Sequence, residues 1–300
     1  MNGATIRRLD RRLGAALVVP AIVTVGIFAV WPVTQSMWLS LHRSIVALPV
    51  ESTFVGFENY RRLLMDPVAR HSSIVTLLFA AGSVAGELII GLVLALLMHR
   101  ALPARGLYRA LVLVPWAMPT VVAAQMWRLS LHDRYGLLNL LIFGDRVDAY
   151  VAPLVSPPSA LIAIIAADVW KTASFTGLLL LAGLQMIPGD LYEAAQIDGA
   201  NAWQQFRSVT LPLIRPAILV ALLFRTIDAF RVFDLVYVLT YGGPADSTNM
   251  LQFYGYRTLM GEFNIGYGAA IATMVFFFAL AMSLVYVKFV GSSLLERNRQ

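Results

Sequence analysis

Seven ionisable residues stand within otherwise apolar stretches of this chain: Glu87, Asp168, Lys171, Arg225, Asp228, Arg231 and Asp234. Charges are costly in such surroundings and are functional candidates by default. The last four alternate in sign every three residues, so neighbours on a helix can pair along one slowly turning face. Such a set could line a wet cavity that hydrogen-bonds the hydroxyls of a solute. It could equally form a neutralised network that holds the chain to a partner subunit. Aromatic rings able to stack on a ring-shaped solute occur in the same stretches, at Trp127, Trp170, Phe230, Phe233 and Tyr237. Most aromatics in such places pack or form interfacial belts, so each is a weaker candidate than the charges.

The elements that must position these residues are set by hydrophobicity. Of 300 residues, 59% are hydrophobic and 13% charged, with a mean hydropathy of +0.72; a soluble domain is about 25% charged. Apolar stretches near or above the ~20 residues needed to cross a bilayer recur along the chain. They predict an all-α integral membrane fold with about six spans, at residues 13–41, 73–98, 107–129, 160–186, 217–241 and 266–290. The expected organisation is a tail at 1–12, a six-span domain at 13–290 and a tail at 291–300. The first apolar run follows Arg7, Arg8, Arg11 and Arg12 but greatly exceeds the ~7–15 residues of a secretory signal core, so it is read as an uncleaved span. After it, FVGFENYRRLLMDP predicts a short folded or helical surface segment. Pro20, Pro32, Pro115 and Pro119 fall inside spans, where neighbouring helices or water can satisfy the freed backbone groups.

Six spans put both termini on one side. With the N-terminus inside, Arg7, Arg8, Arg11, Arg12, Arg100, Arg105, Arg109, Arg207, Arg215, Lys288, Arg297 and Arg299 are inside, against Arg43, Arg61, Arg62, Arg70, Arg134, Arg146 and Arg257 outside. This excess of positive charge predicts cytoplasmic termini and places the polar stretch 187–216 in the cytoplasm as well.

Several chemistries are excluded. The chain has no cysteine, which removes disulfides and thiolate chemistry. His42, His71, His99 and His132 are far apart and show no metal-ligand spacing. The net charge of +6 comes from arginines dispersed at the ends of apolar runs, not from a basic face that would bind nucleic acid. A phosphate-cradling loop needs Gly-Lys-Ser/Thr, but the only lysines, Lys171 and Lys288, follow Trp170 and Val287. No catalytic constellation stands out, so the residues give no case for nucleotide hydrolysis within this chain.

The stretch 187–216 carries the argument further. Asp190 and Glu193 are spaced as the N-cap and third residue of a capping box, predicting a short helix. Gly199 is the expected helix stop, since glycine adopts the left-handed conformation freely. Asn201 and Gln204 repeat the capping pattern ahead of a second short helix, which Pro212 is expected to end. Pro216 suits the first turn of the next span. Two short helices set at an angle, with alanines where a partner could approach closely, have the shape of a docking knob; an ordinary capped loop is the alternative.

The residues Glu193-Ala194-Ala195, Asp198-Gly199-Ala200, Phe206, Leu211-Pro212 and Pro216 resemble, in order and spacing, the EAA loop of the permeases of binding-protein-dependent ABC importers. FVGFENYRRLL, DVWKTASFTGLLLLAGLQMIP and ALLFRTIDAFRVFDLVYVLTYGGP extend the likeness over most of the chain, towards the maltose- and trehalose-type sugar permeases. The resemblance implies a multi-pass subunit of the bacterial cytoplasmic membrane, surrounded by lipid and paired with a second homologous permease. It implies two ATP-binding subunits that carry ATP and Mg, no cofactor in this chain, and an extracellular sugar-binding protein or lipoprotein that delivers the sugar, a disaccharide such as trehalose or a maltose-like one. Glu193, Ala194, Ala195, Asp198, Gly199 and Ala200 would contact the ATPase, with Leu211 and Pro212 as braces. Under this implication Trp127, Trp170, Lys171, Arg225, Asp228, Phe230, Arg231, Phe233, Asp234 and Tyr237 are candidates for the translocation pathway. A secondary transporter driven by an ion gradient would also explain six spans and intramembrane charges, but leaves the EAA residues as coincidence.

Overall fold

The computed structural model describes residues 18–45, 52–100 and 105–297; the expected N-terminal tail lies outside them. Among the described residues four helices are long and apolar enough to cross a membrane, and two bent helix pairs raise the number to six if each pair is one span. The chain divides into two compact units, Met1–Asp66 with Gly255–Met274, and Pro67–Tyr254 with Val275–Gln300.

In the first unit, α1 (Val18–Ser40) is an apolar helix with none of its hydrophobic window buried within the chain. It leads to a two-residue antiparallel ladder of β1 (His42–Arg43) and β2 (Thr53–Phe54) and then to α2 (Glu58–Met65), the helix expected in the FVGFENYRRLLMDP segment. Buried Asn59 ties α2 down by donating to the carbonyls of Ser40 (2.8 Å) and His42 (3.0 Å). The Tyr267 hydroxyl donates to Asp66 at 2.6 Å.

The second unit is built on α3 (Pro67–His99) and α7 (Pro157–Gln185). Between lipid-embedded helices, close van der Waals packing of small residues replaces the hydrophobic drive available in water. Gly91 shows how tight the seam is: a Cβ there would stand 2.8 Å from Thr176 Cγ2 and 3.0 Å from the backbone nitrogen of Gly177. The pair continues into a core of Ala95, Met98, Leu180, Leu181 and Leu184, joined by Ile214 and Ala221. After a short helix, α12 (Leu251–Tyr256), the sixth predicted span falls in α13 (Ile265–Arg297), whose helix runs on into the residues assigned to the C-terminal tail.

Two spans depart from the straight helices expected of them. The third is broken into α4 (Arg105–Ala117) and α5 (Thr120–Ser130), which meet at 87°. Pro119, with extended ψ of 135°, sits at the corner, because the residue before a proline and the proline itself disfavour continued helix. A short helix, α6 (Leu137–Phe143), lies in the polar segment after the third span. The fifth, expected to reach residue 241, ends its first helix, α10 (Arg215–Phe230), eleven residues early and resumes three residues later as α11 (Asp234–Leu239). Non-helical backbone at membrane depth survives where it lines a cavity, and residues 231–233 do so.

Candidate functional site

The intramembrane charges assemble around Arg225. Glu87 on α3 is completely buried and accepts from Arg225 Nε and, at 2.8 Å, Nη2. It also accepts from Ser83 Oγ at 2.8 Å and from Thr172 Oγ1 at 2.9 Å. Asp168 on α7 accepts from Ser83 at 2.5 Å and from Arg225 Nη2 at 3.4 Å. Arg225 Nη1 donates to Asp228 at 2.6 Å, the spacing of three that the sequence predicts will pair. One guanidinium thus ties α3, α7 and α10 together within a single chain. Sequence reasoning offered pairing along the fifth span or to a partner subunit; it did not place Glu87 and Asp168 on the same arginine. The hydroxyls of Ser83, four residues before Glu87, and Thr172, four after Asp168, were missed as well, although one-turn spacing from an intramembrane carboxylate is a readable signal.

Arg231 and Asp234 do not continue the ladder. The helix ends between them, and among the described residues no ion pair joins them. They line, with Lys171, Asp228, Phe233 and Thr120, a cavity of about 180 Å³. Lys171 is only 9% exposed, and among the described residues no hydrogen bond or ion pair engages its ammonium. The cavity therefore offers donors from Lys171 and Arg231, acceptors from Asp228 and Asp234, and the ring of Phe233. That combination suits a solute carrying many hydroxyls, each of which both donates and accepts.

The remaining aromatic candidates stand apart from this lining. Trp127 and Trp170 meet edge to face at 6.0 Å. Phe230 packs on Phe278 at 5.2 Å and faces a separate apolar groove beside the Thr226–Tyr286 hydrogen bond. Tyr237 belongs to a cluster with Phe233 and Tyr241, each at 5.5 Å.

The polar stretch forms α8 (Asp190–Ile197) and α9 (Ala202–Leu213). Gly199 lies between them with φ +79° and open space around its α-carbon, as expected of the helix stop. The second capping box is present: Gln204 N donates to Asn201 Oδ1 at 2.9 Å and Asn201 N to Gln204 Oε1 at 2.8 Å. The first is not. Gly189 takes the N-cap position, its carbonyl receiving the amides of Tyr192 and Glu193, so Asp190 and Glu193 instead favour the helix by placing negative charge in its first turn. Pro212 likewise does not end α9. A widened turn over Phe206–Thr210, closed by the Leu211 amide on the Phe206 carbonyl, absorbs the proline, and the chain bends by 63° around Ile214. Pro216 sits in the first turn of α10 as expected.

Glu193, Ala194, Asp198 and Gly199 are exposed, Ala195, Ala200, Leu211 and Pro212 half-buried. Two large apolar residues that sequence reasoning passed over stand out beside them, Ile197 at 87% exposure and Trp203 at 68%. Their signal was their hydrophobicity in an otherwise polar loop. The bent pair of helices thus presents a small-residue face and two bare apolar side chains, the surface character of an interaction site.

The chain belongs to the family of inner membrane components of binding-protein-dependent transport systems, whose model matches residues 87–291, a stretch containing the charged cavity and both loop helices. It is 45% identical over 285 residues to the trehalose/maltose transport system permease protein MalF of Thermococcus litoralis, covering 93% of this chain and 94% of that protein. It is 42% identical to the trehalose transport system permease protein SugA of Mycobacterium tuberculosis, over 96% and 91% of the two chains. Among solved structures it resembles a chain of a bacterial alginate ABC transporter in complex with an alginate pentasaccharide-bound periplasmic protein, at 25% identity and a TM-score of 0.76, covering 95% of this chain and 94% of the other. The chain is thus an ABC permease subunit of the inner membrane. The ion-gradient carrier reading finds no support.

Proposed function

We propose that this permease forms half of the translocation pathway for a neutral disaccharide, trehalose or a maltose-like sugar, and couples it to separate ATP-binding subunits through α8 and α9. The observation that carries the coupling role is the exposed, glycine-hinged helix pair, with Glu193, Ala194, Ala195, Asp198, Gly199 and Ala200 as the contact and Leu211 and Pro212 as its brace. The loop and both termini face the cytoplasm on this reading, as the arginine excess favours. The near-full-length identity to trehalose and maltose permeases supports the sugar class. A cavity of about 180 Å³ is smaller than the ~300–1,000 Å³ of a complete small-molecule site, which fits a pathway closed by a second permease. Two ATP-binding subunits hold ATP and Mg, and an external binding protein delivers the sugar.

The test is co-purification of the tagged chain from native membranes in mild detergent, followed by trehalose and maltose uptake in proteoliposomes. A second permease, an ATP-binding subunit and a sugar-binding protein are expected in the eluate. Glu193→Lys and Gly199→Leu are expected to leave the chain inserted and to abolish coupled uptake. Normal uptake by either variant would remove the docking role.

A further inference from the structure

Resting on the pathway reading above, we infer that Glu87 is a positioning residue for transport: it never meets the solute, but holds Arg225 so that Asp228 is presented to the cavity. The geometry carries this. Glu87 is fully buried on α3 and does not line the cavity. Its two oxygens take Arg225 Nε and Nη2, and the hydroxyls of Ser83 and Thr172, shared with Asp168, stand within hydrogen-bond reach of Oε1. The inner edge of the guanidinium is fixed, and only Nη1 is left to reach outward to Asp228, whose side chain is 69% exposed where it faces the cavity.

A buried ion pair is poor evidence of a stabilising role, because desolvation offsets much of the attraction and well-packed apolar residues often serve as well or better. Bidentate arginine–carboxylate geometry does, however, fix direction. Three carboxylates, Glu87, Asp168 and Asp228, share the one guanidinium, so the hold of Glu87 on Arg225 bears on where the other two sit. Without Glu87, Arg225 is free to swing towards Asp168 and Asp228 and to withdraw the exposed carboxylate from the solute.

The test compares uptake of radiolabelled trehalose and maltose by the reconstituted whole complex, each variant scored against a wild-type complex whose import has been established first. Glu87→Gln keeps the size but loses the charge; Glu87→Asp keeps the charge but retracts it. Misplacement of about 1 Å can cost up to ~100-fold in a preorganised site, so both variants are expected to lose roughly tenfold or more in maximal uptake rate while the complex still assembles. Wild-type uptake by Glu87→Asp would mean that only the charge matters and would overturn the proposal, leaving the sugar reading intact. The second arm is a cycle with Asp228→Asn. If Glu87 acts through Asp228, the double variant is no slower than the slower single one, since coupled residues do not add. Multiplied losses would show that Glu87 acts elsewhere.

Discussion

Lys171 presents a problem of physical chemistry that only function resolves. The residue is nine-tenths buried and, among the described residues, its ammonium engages no carboxylate, although Asp168 lies one turn away on the same helix, bound instead to Ser83 and Arg225. An unpaired charge in such a place costs stability, and residues kept at that cost mark sites where activity and stability conflict. Lys171→Met fills a similar volume without the charge. The expected outcome is a purified complex that is more stable by ~0.5–2 kcal/mol, the range of single stabilising changes, and that imports sugar several-fold more slowly. Thermal melting of the complex and uptake in proteoliposomes measure the two effects. A variant that is both less stable and fully active would show the ammonium to be a structural tether.

Among the helices, the α3–α7 seam decides whether that cluster can exist. Ser83 and Glu87 reach Asp168 and Thr172 only because the backbones come close, and Gly91 sits where a side chain would run into Thr176 and the Gly177 backbone. Gly91→Leu should therefore part the two helices and lower the yield of assembled complex sharply, whereas Gly26→Ala, whose Cβ would have nothing within 4 Å, should leave the yield of folded chain unchanged; detergent-resistant complex on size-exclusion chromatography reads both. The same element scale shows what a sequence can disclose. Spans such as α3 and α7 are legible because apolar length is a one-dimensional property, and Gly199 and the Asn201–Gln204 box are legible because caps are local. The breaks at Pro119 and after Phe230 depend on which neighbours satisfy the freed backbone, and the convergence of Glu87, Asp168 and Arg225 depends on packing between residues up to 138 positions apart. Asp190 as N-cap failed for a related reason: glycine at 189 serves the same geometry one residue earlier.

For the molecule as a whole, the orientation of the chain in the bilayer decides whether α8 and α9 can meet a cytoplasmic ATPase at all. The argument for it is electrostatic: arginines cluster on the side that would hold both termini and residues 187–216. The segment 131–156, on the opposite side of an odd number of spans, should then be external. The chain contains no cysteine, so a single introduced thiol reports on one position without background. Gln196→Cys lies on the exposed face of α8 and Asp148→Cys on an exposed turn between α6 and α7. A membrane-impermeant maleimide added to intact cells with a permeable outer envelope should label Asp148→Cys and spare Gln196→Cys, and inside-out vesicles should reverse the pattern. Labelling of Gln196→Cys from the outside would put the helix pair on the wrong side of the membrane for ATP, and the coupling role would fall with it even if the charged cavity kept its place in the pathway.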